Sequence, residues 1–251
     1  MACPDAMTHQ MRRADGFTLP ELLIGITMAT IIMLAAFALL DTAIRRTGET
    51  QARVEATQRG RQALDVITRE LRSQVCLPSE VLAGTPTAPQ PAIAAASPFS
   101  TTFYVDLTDG TASFVSRVEK RVLTYDPAGR RLVEDRYRST GVVPLMFQEP
   151  PSRKVLVTNV VPDTDDESRL PDGSPAIFRY YAFGPAATPT VEVINPTAAE
   201  RARIARIDLA FVTRAGSEQV TGTPAASLTL RDRISIRAAD PNDPAPYPTC
   251  A

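Results

Sequence analysis

The chain predicts an α+β fold: one long N-terminal helix, followed by an antiparallel β-sheet domain packed on the second half of that helix. Three observations lead there. A run of nineteen uncharged residues from Leu22 to Leu40 continues, without a proline, into an Arg/Glu/Gln/Ala-rich stretch that reaches Val75. Beyond residue 100, short segments rich in β-branched and aromatic residues alternate with Gly, Pro and Asp, the pattern of strands and turns. About 175 residues follow the helix, enough for one domain with its own core.

The helix comes first. Nineteen residues rise about 28 Å, close to the roughly 30 Å hydrocarbon core of a bilayer. A secretory signal would carry a shorter apolar region of about 7–15 residues with a small-residue cleavage motif beyond it. Here Asp41-Thr42-Ala43-Ile44-Arg45-Arg46 follows instead, so residues 17–41 read as a transmembrane half and 42–77 as an amphipathic half. Leu64, Ile67, Leu71 and Val75 recur at helical spacing and form a stripe that a following domain can cover. A helix from Thr18 to Val75 would be about 85 Å long. Gly48 and Gly60 each weaken it by about 1 kcal/mol relative to alanine and mark expected bends. Cys76-Leu77-Pro78 ends it, because a residue before proline is biased away from helical backbone.

Residues 78–99 are rich in Pro and Ala and low in charge, which predicts a surface loop. The β-rich domain spans 100–240, with strands expected at Ser100–Asp106, Ala112–Glu119, Arg121–Tyr125, Arg131–Arg138, Lys154–Val160, Ile177–Phe183, Ile204–Thr213 and Ser227–Arg237. Asp126-Pro127-Ala128-Gly129 should close a hairpin, with proline presetting φ and glycine turning left-handed. Leu228, Leu230, Ile234 and Ile236 share parity and give the last strand a buried face. A Pro-rich tail, 241–251, ends the chain.

Composition narrows the chemistry. The formal net charge of −1 gives no strong attraction to nucleic acid or anionic membranes. The only histidine is His9. A leader running from Met11 to Gly16 would be complete by itself, and among the candidate starts Met1, Met7 and Met11 the last would remove both His9 and Cys3. A chain beginning at Phe17 contains no histidine, hence no Ser-His-Asp triad and no His metal ligand. No Gly-x-Ser-x-Gly elbow, Walker loop or CxxC pair occurs, and Lys120 and Lys154 are the only lysines. No catalytic residue, metal or cofactor is expected. The acidic loop Asp163-Thr164-Asp165-Asp166-Glu167 has alternating carboxylates but lacks the glycine and distal glutamate of a calcium loop, so a solvated turn is the better reading for Asp163, Asp165 and Glu167.

Glu21 stands at the start of the apolar run. A carboxylate entering a membrane costs a few kcal/mol near its centre and less near an interface. Two explanations fit: a cationic partner, or an interfacial place in the first helical turn where the macrodipole favours it. Pro20 beside it is tolerated in a first turn, where no intrahelical acceptor is lost.

Gly16, Phe17, Glu21 and the apolar run behind them resemble the type IV prepilin signature of pilins and type II secretion pseudopilins. The resemblance implies a leader of residues 1–16, cleavage by a prepilin peptidase between Gly16 and Phe17, and N-methylation of Phe17. It also implies that Glu21 pairs with the N-terminal amine of a neighbouring subunit during assembly with other pilins or pseudopilins. The size of the domain and the Arg61-Gln62-Ala63-Leu64 to Arg69-Glu70-Leu71-Arg72 segment look most like the J-type minor pseudopilins, or comparable large minor pilins. The family spans secretion, adhesion, twitching and DNA uptake.

The implied location is the cytoplasmic (inner) membrane, crossed once, with the C-terminal domain outside the cytoplasm and carried into a pilus or pseudopilus. Arg12 and Arg13 before the span are outnumbered by Arg45, Arg46 and Arg53 after it, so loop charge alone would orient it the other way; the peptidase's cytoplasmic action decides the orientation. Outside the cytoplasm, the remaining pair Cys76 and Cys250 favours a disulfide over two free thiols. It would close a loop of 174 residues, worth up to about 5 kcal/mol. The alternative function is a single-pass anchored ligand-binding domain or enzyme, which has no need of Gly16 with Glu21.

Overall fold

The computed structural model describes residues 17–77, 90–106, 118–140, 142, 144–183, 189–214 and 227–236. The chain divides between Thr50 and Gln51 into two compact units. Helix α1, Leu19–Arg72, is continuous through that division.

In the first unit every residue from Phe17 to Thr50 is exposed. The apolar run is therefore a bare helix surface, and it is long and apolar enough to cross a membrane. Its polar side chains are satisfied internally: the hydroxyls of Thr27 and Thr30 donate to Ile24 O at 2.9 Å and Ile26 O at 2.8 Å. Such back-bonding is what a hydroxyl in lipid requires, since no water is there to receive it. Gly48 lies within the helix and produces no break in it.

In the second unit the rest of α1 packs on two antiparallel sheets. The first contains β1 (Ile93–Ser97), β2 (Ser100–Asp106), β3 (Val118–Asp126), β4 (Arg131–Arg138) and β5 (Ser152–Thr158), in chain order across the sheet. The second contains β7 (Phe178–Phe183), β8 (Pro189–Val193), β9 (Ile204–Arg214) and β10 (Ser227–Ser235), ordered β10-β9-β7-β8, with the short β6 (Val160–Pro162) also on β9. Asn159, at φ 56°, is the one residue between β5 and β6; asparagine tolerates this left-handed backbone better than other side chains do. Tyr180 ties the sheets, its single hydroxyl hydrogen shared between Ser97 O and Ser100 O, each 3.1 Å away.

The core follows from these faces. Ile67 and Leu71 of α1 lie among Phe103, Val105, Leu123 and Leu132 of the first sheet and Phe178, Ile207, Phe211 and Ile234 of the second. The buried residues of α1 are Ala56, Gly60, Ala63, Ile67 and Leu71. The expected stripe thus holds at Ile67 and Leu71, while Leu64 and Val75 are only partly buried; toward its N-terminal side it continues through small residues. Gly60 is therefore a place of close approach, and no bend divides α1 there. A Cβ on Gly60 would stand 2.8 Å from Thr213 Cγ2 and nearer still to Leu230 Cδ1.

Several boundaries differ from expectation for visible reasons. The helix stops at Arg72 because the backbone leaves it to pair with β2: Val75 N donates to Tyr104 O at 2.9 Å, and Gln74 bridges Val105. The expected loop over 78–99 contains β1, whose Ile93 is buried; the part before residue 90 lies outside the described residues. Of the expected strand Ala112–Glu119, only Val118 and Glu119 are described, and they belong to β3. The expected hairpin joins β3 and β4, but Arg130, at φ 46°, makes the left-handed step in place of Gly129. Asp126 Oδ1 closes that turn by accepting from the Ala128 and Gly129 amides, both at 3.1 Å.

One charged network sits on the inner face of the first sheet, beneath the end of α1. Arg121, 3% exposed, pairs with Glu70 of α1, with Glu119 at 2.9 Å and with Glu134 at 3.4 Å. Arg136 closes the group on Glu134 at 2.8 Å. Burial lowers the pKa of the Arg121 guanidinium and raises that of Glu119, each held by its counter-charges. Thr68 adds a second tie from the helix, donating to Asp232 Oδ2 of β10 at 2.6 Å. Removing one partner of a buried ion pair leaves the other desolvated and uncompensated. Glu70→Gln should therefore lower unfolding stability by about 2 kcal/mol in urea titration of the detergent-solubilised protein, whereas parental stability would show that this network does not hold the helix.

Candidate functional site: the N-terminal processing and assembly segment

The segment that matters chemically begins at Phe17, which is 82% exposed. Gly16 lies outside the described residues. Thr18 O accepts from Leu22 N at 3.1 Å, the first bond of the helical pattern, and α1 starts at Leu19. Pro20 consequently falls in the first turn, where a missing N–H costs no hydrogen bond. Glu21 is also in that turn and exposed, next to the orphan amides that make a helix N-terminus electropositive. Among the described residues its carboxylate has no hydrogen bond or ion pair, so it is open to a partner. Leu19, Leu22, Leu23, Ile24 and Ile26 around it are all more than half exposed.

The result is a non-helical, exposed pair at Phe17 and Thr18, then a helix with one carboxylate in an otherwise apolar surface. Such a surface is stable in lipid or against other apolar helices, and Glu21 is the one group there that gains from a cation.

Cys76 is disulfide-bonded and follows α1 by four residues, just after the pairing of Gln74 with Val105. Cys250 lies outside the described residues.

The acidic loop is organised around an arginine. Arg231 of β10 donates to Asp163 Oδ2 at 2.8 Å, Asp165 Oδ2 at 2.6 Å and Glu167 Oε2 at 3.0 Å. Ser168 Oγ donates to Asp163 Oδ2 at 2.7 Å. A guanidinium thus stands among the carboxylates, where a calcium ion would have to sit, and Asp163 is buried while Asp165 and Glu167 are solvated. Burial, the largest influence on Asp163, pushes its pKa up, but the bonds from Ser168, Arg231 and the Asp165 amide outweigh it and hold the carboxyl below its ordinary value.

Beside this loop, a groove of about 680 Å³ crosses the outer face of the second sheet. Its charges compensate one another: Arg179 with Glu192 at 2.6 Å, Arg206 with Asp208 at 2.9 Å, and Arg231 with the acidic loop. Arg206 also lies over the Tyr181 ring, 3.9 Å from its centroid. Burial raises the Asp208 pKa against three neighbouring arginines. Lys120 is likewise engaged, its ammonium 4.0 Å from the centroid of the Tyr137 ring.

Comparison with known families assigns the N-terminal segment. The prokaryotic N-terminal methylation motif matches residues 11–37, the stretch that holds Gly16, Phe17, Glu21 and most of the apolar run. A comparison with curated proteins finds no match. The chain therefore carries a type IV prepilin-like N-terminus on an α+β body, and the motif implies processing by a prepilin peptidase, membrane anchoring and pilin-type assembly.

Processing is read most directly by mass. Intact-mass analysis of membrane-extracted protein should give a chain beginning at N-methylated Phe17, and Gly16→Glu should leave the leader attached; a mature chain starting beyond Leu40 would contradict the assignment. The acidic loop gives a test in pH. A carboxyl held below its ordinary pKa of 3.8 contributes stability that is fully present above that value and lost as pH falls through the lower, folded-state value. Stability should thus begin to drop as pH falls below about 4, and less steeply in Arg231→Gln; equal slopes in parent and variant would show that Asp163 contributes nothing.

Proposed function

We propose that this chain is a minor pilin or pseudopilin subunit, most like the J-type minor pseudopilins of type II secretion, and that it acts by assembly and not as an enzyme. The observation that carries the reading is the methylation motif, residues 11–37, running into a continuous helix, with Glu21, unpaired among the described residues, as the one carboxylate of an otherwise apolar surface. An anchor serving only to hold a domain at a membrane gains nothing from that carboxylate, and hydration near the interface is all it would need.

The mechanism has three steps. The unprocessed chain sits in the inner membrane through Leu22–Leu40, with the β-rich domain outside the cytoplasm. A prepilin peptidase cuts after Gly16, which creates a new ammonium at Phe17, and that nitrogen is then methylated. The ammonium and Glu21 of adjacent subunits are each costly alone in lipid and compensate when subunits stack, so apolar helix packing becomes charge-selective. The domain on the distal half of α1 then meets sister subunits or cargo, and a Cys76–Cys250 disulfide, in this reading, staples the Pro-rich tail to the end of the helix.

Glu21→Ala separates assembly from folding. It should be inserted and cleaved like the parent and keep the melting temperature of the β-rich domain, while losing crosslinks to sister subunits together with secretion or piliation. Normal crosslinking and function in a variant that is also normally N-methylated would contradict the pairing role.

A further inference from the structure

Within the second unit α1 is attached unevenly. From Leu64 onward it contributes Leu64, Ile67 and Leu71 to the core, the Thr68 bond to Asp232 and the Glu70 pair with Arg121. From Gln51 to Ala63 it buries only Ala56, Gly60 and Ala63. The one large apolar side chain of that stretch, Val54, is 50% exposed. The side-chain hydrogen bonds of residues 51–63, from Thr57 to Arg53 O and from Arg59 to Glu55 O, stay inside the helix. Among the described residues, no ion pair or side-chain hydrogen bond joins 51–63 to a strand.

We propose that residues 51–63 form a releasable strap over β9 and β10, and that residues 64–72 form the anchor that keeps the helix on the domain when the strap lifts. Apolar burial and buried polar ties determine how much a segment costs to detach. The strap has no polar tie to a strand among the described residues and buries only the small side chains of Ala56 and Ala63, its fit resting on backbone proximity at Gly60 to Thr213 and Leu230. Lifting it breaks no strand pairing; it needs a bend of the helix near Leu64, and the lifted turns, no longer held on the sheet, open their own hydrogen bonds more readily. Thirteen residues at 1.5 Å each make about 20 Å of helix that comes free of the domain with the two sheets intact. A subunit under load could thus swing its domain on the anchor before that domain unfolds. This use under load rests on the filament reading, whereas the uneven attachment does not.

Hydrogen exchange of the full chain in detergent micelles, read by mass spectrometry, tests the device without requiring assembly. After correction for intrinsic rates, the amides of 53–63 should exchange at least tenfold faster than those of 66–72. The Thr213 and Leu230 region should exchange faster than the rest of its sheet. Gly60→Ala, which pushes the strap outward, should speed exchange in 53–63 by a further factor of about ten and leave 66–72 and β2–β4 unchanged. Equal protection along 53–72, or loss of protection spread evenly over both sheets in Gly60→Ala, would overturn the proposal. Should Gly60→Ala fail to fold, the comparison within the parent chain still decides it.

Discussion

The seating of Ile67 and Leu71 between two sheets is the constraint on which the domain depends. Neither side chain has exposed surface, and each touches a core built from both sheets. A sheet with one apolar face must cover that face, and here the last turns of a helix do so for two sheets at once. The charged network answers the same demand at the edge of the contact. Glu70 precedes Leu71, so the residue that follows the helix periodicity onto the inner face of the first sheet brings a carboxylate with it. Arg121, Glu119, Glu134 and Arg136 lie there to receive it. Buried charge of this kind adds little net stability compared with apolar packing, and it is strict about geometry.

The same helix serves two solvents. From Leu22 to Leu40 its surface is uncharged all round and exposed in the chain itself, with threonine hydroxyls turned back onto its own carbonyls. Beyond Gln51 it is polar on the outside, and its buried face is small until the anchor is reached. A single continuous helix can carry an apolar surface and a folded domain because its backbone hydrogen bonds are local and indifferent to which side chains face outward. The methylation motif runs into the apolar half, and the proposed charge pairing at Glu21 acts through that half alone.

Much of this was legible in the sequence where one local signal acted. The α+β order, the start of the helix and the bounds of β2 and β4 follow from periodicity and turn residues, because neither strand competes with another structural demand. What was missed depended on partners distant in sequence. The Ala-rich segment Ile93–Ser97 is a strand because β2 pairs with it. Gly60 appears in sequence as a weak point and in the fold as a contact with Thr213 and Leu230. Arg231 is separated by more than sixty residues from the carboxylates it neutralises, so the solvated reading holds at Asp165 and Glu167 and fails at Asp163, which is buried against an arginine the local sequence does not reveal. One miss was avoidable: Thr197 and Glu200 have capping-box spacing, and they cap the short helix α2, Ala198–Ala202, by both reciprocal bonds. At the N-terminus the methylation motif was readable because that signature is short, contiguous and independent of the fold.

Whether the mature chain is a filament subunit is the central question for this protein. The most direct measurement is quantitative mass spectrometry of sheared, sedimented surface filaments or crosslinked membrane assemblies from cells producing the chain at its native level, compared with the detergent-soluble membrane fraction. The account predicts that the form beginning at Phe17 is recovered in the sedimented assembly together with other chains bearing methylated prepilin-type N-termini. Recovery of the fully processed form solely as a dispersed membrane protein, under conditions in which those other chains do sediment, would contradict it.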